Sequence, residues 1–165
     1  MKTLLVLRHA KAQPDSPLGD WARELAGRGR RDAPVMGELI RQRIGRPDAI
    51  VSSDAHRARQ TAELAAEAMG FTLPIALVHD VYNADLDSLL GVVRSLPEHA
   101  RTILLVGHNP GMEALVAALA GIEASDVRLP TAGLAHLELG VDRWLDVGPK
   151  TGRLLGLDTP KEAGS

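Results

Sequence analysis

Three short apolar runs of this sequence end in groups that bind anions. Arg8-His9 follows Thr3–Leu7, His56-Arg57 comes soon after Ala49–Val51, and His108-Asn109 follows Thr102–Val106 and Gly107. A guanidinium fork meets the oxygens of a phosphate two at a time, and an imidazole can donate, accept or act as a nucleophile. No Asp or Glu is firmly placed among them. The paired acids of glycoside hydrolysis and the oxygen cage of Mg²⁺ or Ca²⁺ are therefore not what these residues make. His9 and His108 would count toward a zinc site, but Arg8 and Arg57 beside them would repel a dication. The chain has no Gly-x-Ser-x-Gly elbow, no P-loop and no Gly-x-Gly-x-x-Gly. A phosphate-bearing substrate is the ligand these groups fit, and Gly107–Gly111 adds backbone donors where a helix begins. Neither a metal nor a cofactor is expected.

For these residues to meet, the runs before them must be neighbouring strands whose carboxyl ends share one rim, where open α/β sheets bind ligands. Thr3–Leu7 and Thr102–Val106 have the continuous apolar character of strands buried on both faces. The spacing of Ala33, Met36, Leu39, Ile40 and Ile44 predicts a helix from about Gly29 to Ile44, ended by Gly45-Arg46-Pro47. Ser52-Ser53-Asp54 reads as capping sequence for a helix over His56–Met69, which Gly70 closes. Ile75–His79 predicts a third strand, Asp85–Leu96 a helix capped by Asp85, and the residues from about Gly111 a helix reaching about Ala120. Gly133–Leu139 alternates like a half-exposed strand, and Leu154–Leu157 suits a sheet edge. Gln13–Asp20, rich in Pro, Gly and Asp, reads as loop. This order predicts the α/β class, with a three-layer α/β/α sandwich around a mostly parallel sheet. Residues 1–158 are expected to form one domain and residues 159–165 a flexible tail.

Composition narrows the classes further. The chain has 165 residues, 45% apolar and 24% charged, as in an ordinary globular domain. Nineteen Lys and Arg against 21 Asp and Glu give a formal charge of −2, which excludes an overall polybasic nucleic-acid binder. The absence of cysteine removes thiolate nucleophiles, iron–sulfur clusters and Cys-type zinc sites together. The apolar run near the N-terminus stops at Arg8, too short for a signal peptide, and no run approaches the ~18 residues of a membrane span. A cytoplasmic location is expected, with neither membrane nor nucleic acid as a partner. Two Trp, one Tyr and one Phe leave an aliphatic core.

Leu7-Arg8-His9-Ala10 resembles the Arg-His-Gly/Ala signature of the histidine phosphatase superfamily, whose fold is phosphoglycerate mutase-like. Ser53 to Thr61 is similar to its second motif, Ser-x-x-x-Arg-Ala-x-Gln-Thr, and Val106-Gly107-His108-Asn109-Pro110 to its third. The short form is most similar to the SixA-type phosphohistidine phosphatases, over about residues 1–140. The resemblance implies that His9 is the nucleophile, that Arg8, Arg57 and His108 complete the phosphate pocket, and that no metal takes part. Asn109 and Arg23 are further candidates for substrate binding, and Asp20 and Arg23 resemble an Asp-x-x-Arg of the short members. Larger members carry a Glu or Asp general acid after the third strand. Here His79–Asp85 lacks their longer pattern, and Asp80 is the candidate, because Asp85 reads as a helix cap. His56, His79, His99 and His136 read as structural or exposed. The implied function is a metal-independent phosphatase with a phosphohistidine enzyme intermediate, acting on phosphohistidine carried by a protein. The alternatives are a phosphatase or mutase of small phosphorylated metabolites, and a phosphate-binding module of weak turnover. The His9 ring proton needs a partner on its other nitrogen, which the sequence does not identify.

Overall fold

Alternation along β1 (Lys2–Arg8) sets the layers. Successive side chains of a strand point to opposite faces, so Leu5 and Leu7 pack to one side and Leu4 and Val6 to the other, all fully buried. The computed structural model describes residues 1–163. Around β1 lies a six-stranded sheet in the order β3-β2-β4-β1-β5-β6, where β2 is Ala49–Ser52, β3 Ala76–Leu77, β4 Thr102–Gly107, β5 Leu134–Leu139 and β6 Gly152–Asp158. The first four strands of that order run parallel; β5 pairs antiparallel with β1, and β6 pairs antiparallel with β5 and so runs in the direction of β1. α1 (Gly27–Arg43) and α2 (His56–Met69) cover the Leu5–Leu7 face. α3 (Leu86–Arg94) and α4 (Gly111–Ala120) cover the other, where Trp144 is the largest fully buried side chain. This is the expected three-layer sandwich.

Three local differences have physical reasons. The third strand is only two residues long, because it is an edge paired solely at Val51↔Ala76 and Ser52↔Leu77. Pro74 has no amide to donate to it, and His79 already begins a 3-10 turn, His79–Val81. The helix after β2 is not capped by Ser52, Ser53 or Asp54; its N-cap is Ala55, without a side-chain bond. The stretch from residue 159 differs from the expected flexible tail: Pro160–Ala163 forms a short helix, α5, with Ala163 packed against the α1–α2 side of the core. Residues 164 and 165 lie outside the described residues.

The loop after His9 is more ordered than its composition suggests. Its base is closed by a bridge between Ala12 and Leu25, with Gln13 N–H donating to the Glu24 carbonyl at 2.8 Å and Ala26 N–H to the Lys11 carbonyl at 2.9 Å. Gly19, at φ +96°, turns the chain into a 3-10 turn, Asp20–Ala22. The resulting strap reaches across to α2.

α1 and α2 pack so closely that no side chain fits between them at one point. A Cβ at Gly37 would stand 2.8 Å from the Ala65 Cα, and nearer still to its carbonyl oxygen. Gly37→Ala is therefore expected to destabilise the protein by about 1–3 kcal/mol despite its better helix propensity. A lower urea midpoint with an unchanged m-value would register this.

Candidate active site

Arg8 is the last residue of β1 and lies opposite Gly107, the last residue of β4, in a parallel register. His9 N–H continues that ladder to the Gly107 carbonyl at 3.0 Å, and Ser53 N–H reaches the Val106 carbonyl at 3.0 Å. Three chain segments thus leave the sheet at one rim. The ring centroids of His9 and His108 lie 5.2 Å apart, and Arg57 approaches from the first turn of α2. His9, His108 and Arg57 are all buried.

Each side chain is held by a specific partner. His9 Nδ1 lies 2.8 Å from the Ala10 carbonyl oxygen; a carbonyl only accepts, so Nδ1 carries the proton and Nε2 keeps its lone pair. Ala10 is itself fixed, because its amide donates to Thr61 Oγ1 at 2.9 Å and that hydroxyl donates to the Arg57 carbonyl at 2.7 Å. Burial pushes the His9 ring down to about 4; the Ala10 bond opposes this, while Arg57, Arg8 and Arg23 reinforce it. His108 is pushed down to about 3 by burial, then by His9 and Arg57. Its Nε2 lies 2.8 Å from Ser53 Oγ, and that oxygen already accepts the Ala55 amide at 3.2 Å. Ser53 Oγ can donate to Nε2 or accept from it, and His108 Nδ1 is without a hydrogen-bond partner among the described residues.

The guanidinium groups are anchored differently. Arg8 Nη1 donates to the Leu129 carbonyl at 3.1 Å, and burial pulls its pKa down against the opposing charge of Glu113. Arg57 donates through Nη1 to the Asp20 carbonyl at 2.8 Å and through Nη2 to the Asp20 carboxylate at 3.1 Å. Tyr82 OH donates to the same carboxylate at 2.6 Å, and Arg23 Nε lies 3.1 Å from its other oxygen. The Tyr82 bond, helped by Arg57 and Arg23 against partial burial, holds the Asp20 carboxyl down at about 2. Tyr82 also stacks edge-on to His108 with centroids 5.4 Å apart, and the Arg57 guanidinium lies 5.9 Å from its ring.

Arg8, His9, Arg57 and His108 are thus brought together, with Arg23 and Asp20 at their edge. Two expected residues are not part of this cluster. Both polar ends of Asn109 are used in the scaffold: Nδ2 donates to the Leu129 carbonyl at 2.9 Å, and Oδ1 accepts the Glu113 amide at 3.2 Å. Asp80 is exposed and lines a groove between β3 and α3 with Val51, Val78 and Ser88, because the 3-10 turn aims it away from the rim. Conversely, the Ala10 carbonyl, Ser53, Tyr82 and Leu129 contribute without having been singled out. Ser53 stands at the head of the second motif and so carried a signal; Tyr82 carried none beyond being the single tyrosine. Among the described residues no group of three or more His, Asp or Glu side chains is arranged to hold a metal ion.

The sequence profile of the histidine phosphatase superfamily (branch 1) matches residues 4–91, which include Arg8, His9 and Arg57. The chain belongs to the histidine phosphatase superfamily. It is 31% identical over 163 residues to an uncharacterized protein of Mycobacterium tuberculosis, spanning 94% of this chain and all of that one. The structure bearing the name phosphohistidine phosphatase SixA from Agrobacterium tumefaciens superposes with a TM-score of 0.80 at 32% identity, covering 96% of this chain and 98% of its own. A like-named structure from Nakamurella multipartitia gives 0.81 at 27% identity, with 96% of each chain covered. Membership in this superfamily supports phosphatase chemistry at the rim described above.

The two depressed imidazoles make stability depend on pH. Between the ordinary histidine value of ~6.5 and the folded values of about 4 and about 3, the unfolded chain binds protons that the folded one excludes. Stability is expected to fall as the pH drops through that window, by at most about 1.4 kcal/mol per pH unit for each ring. Denaturant midpoints between pH 7 and pH 4.5 would follow this, and His9→Asn should flatten the slope.

Proposed function

We propose that the chain is a phosphatase that passes a phosphoryl group first to Nε2 of His9 and then to water, and that its substrate is phosphohistidine displayed on another protein. The observation that carries the reaction is the His9 Nδ1 hydrogen bond to the Ala10 carbonyl. It leaves a lone pair on Nε2 of a ring that burial keeps neutral, beside Arg8, Arg57 and His108. A transferring phosphoryl group spreads its charge over three oxygens, and a dry site with fixed donors lowers that barrier most. Arg8 and Arg57 supply charge-assisted donors, and the neutral His108 ring, in the tautomer that accepts the Ser53 proton on Nε2, supplies a further N–H at Nδ1. The P–Nε2 bond forms as the bond to the leaving atom breaks. Water then attacks phosphorus, His9 leaves as a neutral ring, and inorganic phosphate is released.

The substrate class is supported by the similarity to the SixA-named proteins and by the chemistry of departure. An alkoxide is a very strong base and leaves only with a proton. Imidazole, whose conjugate acid has a pKa of ~6.5, leaves far more readily. The carboxylate nearest the cluster, Asp20, is held ionised at about 2, so the inner pocket itself holds no carboxylic acid for an alkoxide. Trp21 packs on His56 and His79 on Tyr82, and Asp54 links the two pairs by bonds to Trp21 and His79; with His79 and Trp21 exposed, this is the surface where the carrier of the phosphoryl group would sit.

His9→Ala should fold and lose turnover, while the wild type, quenched without acid, should carry an acid-labile, alkali-stable phosphoryl group. Label found on serine or aspartate would refute this route. For the substrate class, kcat/KM is expected to be highest for a phosphohistidine-bearing protein domain, lower for aryl phosphates and lowest for sugar or glycerate phosphates. Equal or faster turnover of an aliphatic phosphate would overturn that class and leave the His9 chemistry standing.

A further inference from the structure

We infer that His79, oriented by Asp54, is the proton donor to the leaving atom. The inference rests on the phosphatase reading above and adds to it the residue that handles the proton.

Elimination narrows the donor. Asp20 is ionised under Tyr82, Arg57 and Arg23. The Tyr82 proton is committed to Asp20, and burial with that bond pushes the phenol up. His108 faces Ser53 and is pushed down to about 3. Glu113 accepts the Leu129 amide at 2.9 Å and serves the scaffold. Asp80 faces the groove beside α3.

His79 stands apart from these. It follows the carboxyl end of β3, on the same rim as the other strand ends, with Val78 N–H bonded to the Ser52 carbonyl at 2.8 Å. Its ring centroid lies 5.8 Å from that of Tyr82, which in turn packs on His108. Both oxygens of Asp54 lie 3.0 Å from His79 Nδ1, and Trp21 Nε1 donates to Asp54 at 3.0 Å. Partial burial opposes ionisation of Asp54, but the bonds from Trp21 and His79 hold its carboxyl below the usual range. A carboxylate only accepts, so Nδ1 is the N–H and Nε2 is the working nitrogen. The side chain is 71% exposed, open to a substrate carried in from solvent. Consecutive residues after β2 therefore orient two imidazoles: Ser53 the inner one and Asp54 the outer one. A histidine fixed by a carboxylate at a site otherwise stripped of proton donors is built to shuttle a proton.

The step balances without a co-reactant. His79 Nε2–H gives its proton to the leaving oxygen or nitrogen as the bond from that atom to phosphorus breaks and the P–Nε2 bond of His9 forms. Neutral His79 then takes a proton from the attacking water as the P–N bond breaks, which returns it to the acid form. Asp54 is a positioning residue in this scheme.

The test compares leaving groups in the full chain. Phenolate needs a proton far more than p-nitrophenolate, so His79→Gln should lower kcat/KM for phenyl phosphate ten- to a hundredfold more than for p-nitrophenyl phosphate, a modest share of what general acid catalysis supplies. His79→Glu should recover part of the phenyl phosphate rate, and Asp54→Asn should show the His79→Gln pattern more weakly. Inhibition by inorganic phosphate reports the inner pocket and should change by no more than about twofold. Equal losses on both substrates, a larger loss on p-nitrophenyl phosphate, or no recovery with Glu would overturn the assignment. Failure of the wild type to form an acid-labile phosphoenzyme would instead remove the phosphatase reading itself.

Discussion

The parallel pairing of β1 with β4, with Arg8 opposite Gly107, is the constraint on which the site depends. It brings together two segments about a hundred residues apart and, because both strands are central, leaves their ends buried. Burial is what makes the imidazoles of His9 and His108 neutral, as the proposed nucleophile and its neutral neighbour must be. Gly107 belongs to the same constraint. A Cβ there would stand 3.0 Å or less from the Met112 and Val81 side chains, which would have to shift to admit it.

Burying cations is costly unless each donor is met, and the structure shows what meets them. Arg8 leans on a backbone carbonyl and the nearby charge of Glu113, while Arg57 takes the carbonyl and carboxylate of Asp20. Asp20 thus has two consequences. It orients Arg57, and it tethers the strap between Ala12 and Leu25 to α2 across the rim. Arg57 Nε is left without a hydrogen-bond partner among the described residues, a donor suited to an incoming anion.

Many residues of the recognisable motifs act on one another. Thr61 holds the Ala10 amide, and so the carbonyl that sets the His9 proton; Gln60 accepts the Leu25 amide at 2.8 Å and pins the base of the strap. Asn109 and Glu113 converge on Leu129, whose carbonyl also receives Arg8. The motifs describe a hydrogen-bonded frame around a few groups left free to react.

The layer order, most element boundaries and the cluster of Arg8, His9, Arg57 and His108 were legible from the chain alone. Apolar periodicity and strand-end placement are local properties, and both depend on residues close in sequence. Polar partnership was not legible. Ser53 and Asp54 have the chemistry of helix caps, and only the packing of β2 against β4, with the turn at His79 beyond β3, turns them toward His108 and His79. Asp80 and His79 are adjacent and both titratable, so composition could not rank them; the 3-10 turn sends one to the groove and the other to the rim. The sequence by itself determined which groups are available and which strands carry them. The tertiary structure decided which proton each group holds, because that depends on burial and on hydrogen bonds to partners more than fifty residues away along the chain.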